Sequence, residues 1–212
     1  MPYHAWFTAH PHRPENDDVG DADPANIFLA VGQVTHAWEC LESSLATLFT
    51  IVTESTTAAN MMAFGSVLSS GSRIAMVNSA WNGYSWAHNK QNLTPNLNVL
   101  LSNVKKLTGL RNIAAHGMVA NLENQSFTPA MNGDALGQYY IIPALYNTSK
   151  LTDRLGVKLW WNSNTILEIR DCINQTKFDI DIFTWHDLIE SLQIVPPMRA
   201  SASKSPTAVQ EI

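Results

Sequence analysis

Residues 94–117, TPNLNVLLSNVKKLTGLRNIAAHG, carry a fully signalled helix and the one polar cluster in the chain that looks chemical. Thr94 before Pro95 reads as an N-cap followed by a first-turn proline, whose missing N–H costs nothing there. Gly117 stands where a left-handed C-cap would stop the helix. Between them Leu97, Leu100 or Leu101, Val104 and Leu107 recur at three- and four-residue steps, so one face is expected to be buried. The far end then turns polar: Arg111, Asn112 and His116 lie among Ile113, Ala114 and Ala115. At about 100° per residue, Asn112 and His116 share a face one turn apart, while Arg111 points roughly 140° away from His116. One chain does not readily aim Arg111 and His116 at the same atom; a bent arginine, or a second copy of the helix across a two-fold axis, would.

The residue types suit phosphodiester chemistry. Histidine, with an ordinary pKa of about 6.5, exchanges a proton near neutrality, and arginine holds a phosphate through two parallel hydrogen bonds. Cleavage of RNA by its own 2′-hydroxyl needs a base for that hydroxyl, stabilisation of charge on the phosphoryl oxygens and an acid for the leaving oxygen. A single histidine does not easily fill both proton roles; two chains, each giving one Arg111 and one His116, would. The bland alternative stays open: Lys105, Lys106, Arg111 and His116 near a helix C-terminus complement the macrodipole without any further role.

RNIAAHG resembles the R-x(4–6)-H signature of the HEPN superfamily, in which a polar residue often follows the arginine late in a long helix. The resemblance spans roughly residues 25–195. It implies a helical bundle that dimerises to bring two motifs together, often as a metal-independent endoribonuclease in toxin–antitoxin or phage-defence settings, with an antitoxin or other protein as a further partner. It also implies that Arg111 and His116 are catalytic and that Asn112 orients them. Some members of that superfamily are non-catalytic binding or dimerisation modules, so a scaffold role is the alternative. No cofactor and no metal are implied.

The rest of the chain reads as a frame for this helix. With 212 residues, 45% hydrophobic and 15% charged, it is expected to form one well-packed domain. A net charge of −5 argues against a broad nucleic-acid-binding surface, so any RNA contact must be local. A first helix is expected from the Asp23-Pro24 start to about Thr53, with Phe28, Val31, Val34, Trp38, Leu41, Leu45, Leu48 and Val52 as its packing stripe. Glu42 at the edge of that stripe needs a partner if buried, supplied by Arg73 or Arg111, or else faces water; both Glu42 and Arg73 are candidate supports of the site. His36 is expected at the surface.

Residues 56–84 read as a broken helix, one piece at 59–67 and another entered at Ser70 or Ser72 and covering 73–81. Residues 82–93 read as a polar loop whose Tyr84, Trp86 and His88 either stack on a base or pack on the bundle. After Gly117 the period changes: residues 118–122, 138–146 and 157–161 are short β-prone runs, rich in Tyr139, Tyr140, Trp160 and Trp161. They suggest a small antiparallel insertion at 118–161 that packs on the bundle, frames a substrate site or extends an interface. The last helix is expected to start at a Thr165-x-x-Glu168 capping box and to run to about Leu192, with Ile169, Ile173, Ile180 and Phe183 inward.

Residues 1–24 and 196–212 read as a flexible leader and a disordered tail. The leader lacks a secretory pattern, and its His4, His10 and His12 lack the companions of a usual metal site. Cys40 and Cys172 have no redox or metal spacing and read as reduced, near-core thiols, which fits the cytoplasm. No apolar run is long enough to cross a membrane. Nucleotide-cradling loops, hydrolase elbows, zinc-protease helices and C-x-x-C centres have no sequence signature here. The fold class expected is therefore mainly α, a four- to five-helix bundle with a small antiparallel β insertion after the motif helix; that it is a homodimer acting on RNA is what the resemblance implies.

Overall fold

The structure, a computed structural model, describes residues 20–55, 58–121, 139–142 and 161–190. Among them are α1 (Pro24–Val52), α2 (Ala58–Ser66), α3 (Ser70–Ala87), a 3₁₀ turn (Gln91–Leu93), α4 (Thr94–His116), β1 (Met118–Asn121), β2 (Tyr139–Ile142) and α5 (Ser163–Ile182), which runs on into a π-helical segment (Phe183–Glu190). The architecture is a mainly helical bundle with a two-stranded antiparallel sheet after α4.

Helix α1 starts where its cap is written. The Asp23 side chain accepts from the Ala25 N–H at 2.8 Å, and Pro24 occupies the first turn. Its inward stripe runs through Ile27, Ala30, Val34, Trp38, Leu41, Leu45, Leu48 and Val52. The stripe differs from the expected one only at its start, where Ile27 and Ala30 replace Phe28 and Val31: Phe28 is 62% exposed and Val31 half-buried. The expected stripe drifts round the helix within the first two turns.

Pairings along the helices give their directions. Asp21, just before α1, accepts from the Ser163 N–H at 2.7 Å at the start of α5, and Gln33 accepts from Arg170 further along both. Hence α1 and α5 run parallel. Helix α4 runs the other way, because Thr94 at its start accepts from Trp81 Nε1 at 2.9 Å, at the end of the bundle where α3 and the π-helical segment meet, whereas Arg111 at its far end reaches Trp38. Trp81 and Phe183, both fully buried, meet at 5.5 Å between ring centroids. The i→i+5 bonding after α5 brings residues five apart closer to one line, which turns both Phe183 and Leu188 inward.

Several boundaries differ from expectation. The cap of α5 is Asn162, whose Oδ1 accepts from both the N–H and the hydroxyl of Thr165, so Thr165 is the third helical residue. Thr94 is likewise inside α4, after Leu93, because the 3₁₀ turn leads straight into the helix. The expected loop at 82–93 is helical as far as Ala87: Tyr84 is buried against Trp81 at 5.9 Å, and His88 meets Glu54 at 2.8 Å, binding the end of α3 to the end of α1. Gly117 has φ −73° and is not left-handed. It is small for another reason: a Cβ there would stand 2.5 Å from Ile141 Cγ1 and 2.9 Å from the Ile113 carbonyl oxygen. Glycine lets β2 lie against the end of α4.

In the sheet, Met118 pairs with Ile142 and Asn121 with Tyr139, and isolated bridges join β2 to Asp21 and Trp161. Asp21, inside the segment expected to be leader, is thus tied to both the sheet and α5. The other parts of the insertion including Trp160, the leader histidines and the tail lie outside the described residues.

Glu42 and Arg73 form the one part-buried ion pair that joins α1 to α3 among the described residues. Ser70 Oγ adds a 3.0 Å bond to the carboxylate. Arg73 also donates from Nε to the Val67 carbonyl at 2.9 Å and from Nη2 to that of Gly65 at 3.2 Å, with its guanidinium 5.7 Å from the Phe64 ring. One side chain therefore closes the C-terminal end of α2 and pins it to α1. Arg73→Met should lower stability by about 2–3 kcal/mol in urea unfolding, since it strands a carboxylate with little water around it.

Burial raises the Asp179 carboxyl pKa, against a smaller opposing effect of the hydrogen bond from Gln175. The ionised form is therefore disfavoured in the folded state, a penalty present above the raised pKa and relieved as pH falls through it. Asp179→Asn, which keeps the acceptor for Gln175, should raise Tm at neutral pH, and the gain should vanish in acid below the ordinary carboxylate range.

Candidate functional site

The motif lies at the end of the bundle that holds the sheet and the starts of α1 and α5. Its arginine occupies a core position. Along α4 the buried apolar residues are Leu97, Leu100, Leu101, Val104, Leu107 and Ala114, and Arg111 falls four residues after Leu107 and three before Ala114. A guanidinium thus takes a place that the pattern reserves for an apolar side chain. It is received by an aromatic face: Arg111 Cζ lies 5.9 Å from the Trp38 ring, and Trp38 is itself buried.

The head of Arg111 also meets the next residue of its own helix. Nη1 donates to Asn112 Oδ1 at 3.2 Å. Asn112 shares a face with His116, one turn on, so the amide links the arginine to the side on which the histidine stands. Among the described residues, Arg111 Nε is buried without an acceptor and no carboxylate pairs with this guanidinium. Of the two arginines expected as partners of Glu42, it is Arg73 and not Arg111 that holds the carboxylate.

His116 is exposed at the last residue of α4 and makes no hydrogen bond or ion pair with a described residue. The chain turns directly from it through Gly117 into β1. Arg111 and His116 are not hydrogen-bonded to each other, as their angular separation on the helix requires. The structure thus brings Arg111 and Asn112 together, leaves His116 beside them without direct contact, and places Glu42 with Arg73 as a structural pair one turn along α1 from Trp38. Trp38 was legible only as a core residue. The signal that would have marked it is the arginine in the α4 stripe, which must meet something on α1.

The remaining candidates are committed elsewhere. His36 is exposed on α1, with Nε2 3.8 Å from Cys40 Sγ. Of the three residues considered for base stacking, Tyr84 and His88 are engaged in packing and Trp86 alone is largely exposed, at 78%. The Cys172 thiol is pushed up by burial, and then by Asp171 and Glu168, which keeps it protonated and unreactive near neutrality. A hollow of about 850 Å³ runs between α1 and α5, away from the motif, past Phe28, Leu29, Gly32 and Phe178. Its cations are already paired, Arg170 with Asp171 and Lys177 with Asp181, so it lacks a charge to hold a phosphate. No three of His, Cys, Asp and Glu gather as a metal would need among the described residues, and no helix there is long and apolar enough to cross a membrane.

A part-buried cation without a counter-charge stabilises the fold little. Arg111→Met, which keeps the stem on Trp38 and removes the stranded Nε, should leave the unfolding free energy within about 0.5 kcal/mol of wild type or raise it. Urea titration of this variant beside Arg73→Met checks the contrast. Comparison of the chain with protein-family models, with curated proteins and with solved structures found no match.

Proposed function

We propose that the chain is a metal-independent endoribonuclease of the HEPN type that works as a homodimer, with His116 as general acid or base, Arg111 as the phosphate clamp and Asn112 as its orienter. The observation that carries this reading is the charge state of the motif. Arg111 lies in a core stripe, held by Trp38 and Asn112 and neutralised by no described carboxylate, while His116 stands exposed on the side toward which Asn112 draws it. A scaffold role leaves that arrangement unexplained. A phosphodiester supplies what it lacks, because the non-bridging oxygens accept the guanidinium hydrogens.

The chemistry needs no outside reactant. One histidine takes the proton of the RNA 2′-hydroxyl, the oxygen attacks the adjacent phosphorus, and the bond to the 5′-oxygen breaks. A second histidine, from the other copy, protonates that leaving oxygen. The products are a 2′,3′-cyclic phosphate and a 5′-hydroxyl end, and Arg111 stabilises the charge that gathers on the phosphoryl oxygens in between. A role in a toxin or phage-defence system, with an antitoxin as partner, belongs to the same reading through the family resemblance. The alternative is a non-catalytic binding module of the same fold, favoured by the separate directions in which Arg111 and His116 leave the helix.

The test is cleavage of a mixed cellular RNA pool in EDTA. Wild type should cleave, leaving cyclic phosphate ends, and His116→Ala should lose at least about 100-fold in rate. Because His116 is exposed and makes no described bond, the variant should melt with wild type. Equal cleavage by the two proteins would remove His116 from the mechanism, and absence of cleavage by wild type would favour the binding module.

A further inference from the structure

Helix α2, AANMMAFGS, carries no charge, yet Phe64 is its one buried residue. Met61, Met62 and the following Leu68 are 47%, 74% and 97% exposed. Large apolar side chains left exposed this close together in the chain are a feature of interaction sites. It is not loosely held: Phe64 meets Phe49 at 5.5 Å, and Arg73 takes the carbonyls of Gly65 and Val67. The helix is fixed with its methionines outward.

Beside it α3 presents the complementary shape. Ser72, Ala75, Met76, Ser79 and Ala80 line a shallow hollow of about 580 Å³ with Phe49, the same ring that seats Phe64. Phe49 thus adjoins both the helix with projecting methionines and a hollow walled mostly by small side chains, a pairing that suits a two-fold contact in which each copy fills the other. Charge selects the same occupant. From Ser55 to Ser72 there is no Asp, Glu, Lys, Arg or His, in a chain whose net charge is −5. Two like molecules repel in most orientations, and an uncharged face is where they approach without opposing like charges.

We infer that a second copy of this chain docks on the α2–α3 face, the methionines of each α2 entering the hollow on the partner's α3. The inference rests on reading the motif as half of a composite site. Trp38, which carries Arg111, and Glu42, which holds the α2–α3 corner through Arg73, are one turn apart on α1, about 6 Å along its axis. The corner that carries the proposed interface is thus anchored on the same stretch of α1 that seats Arg111.

Sedimentation equilibrium at tens of micromolar protein should give a mass of twice the 23.5 kDa subunit. Met62→Glu and Ala75→Lys should each weaken the dimer at least about tenfold, by setting an unpaired charge into it. Both positions are exposed in the single chain, so the circular dichroism spectrum should not change, nor Tm at a concentration low enough for wild type to be monomeric. An equimolar mixture of the two variants should recover a heterodimer, because the carboxylate introduced on one chain faces the ammonium introduced on the other. A monomeric wild type, or a dimer indifferent to both substitutions, would overturn the inference. Because the readout is mass, a dimer that cleaves no RNA would support this interface while counting against the nuclease reading.

Discussion

The apolar stripe of α1 is the constraint on which the rest depends. From Ile27 to Val52 it offers one continuous face to α2, α3, α4, α5 and β2. Each large side chain removed from water there contributes about 1.5–3 kcal/mol, and no other described helix presents a buried face of that length. The other helices take their directions from it. Asp21 at its start fixes the beginning of α5, Glu42 in its middle fixes the α2–α3 corner, and Glu54 beyond its end fixes the end of α3.

Two arginines show how the same chemistry takes opposite roles in this frame. Arg73 has an acceptor for each of its three guanidinium nitrogens, a carboxylate and two carbonyls, so its charge is spent on holding secondary structure together. Arg111 has one neighbouring amide and an aromatic face. An arginine with few partners among the described residues, in a low-dielectric setting, retains most of its attraction for an anion, the capacity on which the proposed phosphate chemistry would draw. The cost is borne by the packing of α4, which gives up an apolar contact at that level.

Periodicity was legible because it is local. The bundle, the change of period after Gly117, the Asp23-Pro24 start and the Leu97 to Leu107 stripe all follow from residues within a few turns of each other. The errors came where local signals were ambiguous or overridden. Thr94 and Thr165 are good caps in isolation, but the preceding 3₁₀ turn and the stronger Asn162 cap moved both inside their helices. Residues 82–87 contain Gly83 and Ser85 and read as loop, yet burial of Tyr84 and Ser85 keeps them helical. Gly117 looked like a conformational glycine and is a steric one, which only the approach of Ile141 from another element discloses.

The sequence by itself determined the helical class, the position of the motif late in α4 and the angular separation of Arg111 from His116, since these depend on the 3.6-residue repeat alone. Only the tertiary structure decided which arginine Glu42 neutralises, which aromatic receives Arg111 and that α2 keeps its methionines outward. Those outcomes are set by contacts between residues some 15 to 70 positions apart, and a local pattern carries no information about which of several equally suited partners the fold brings within reach.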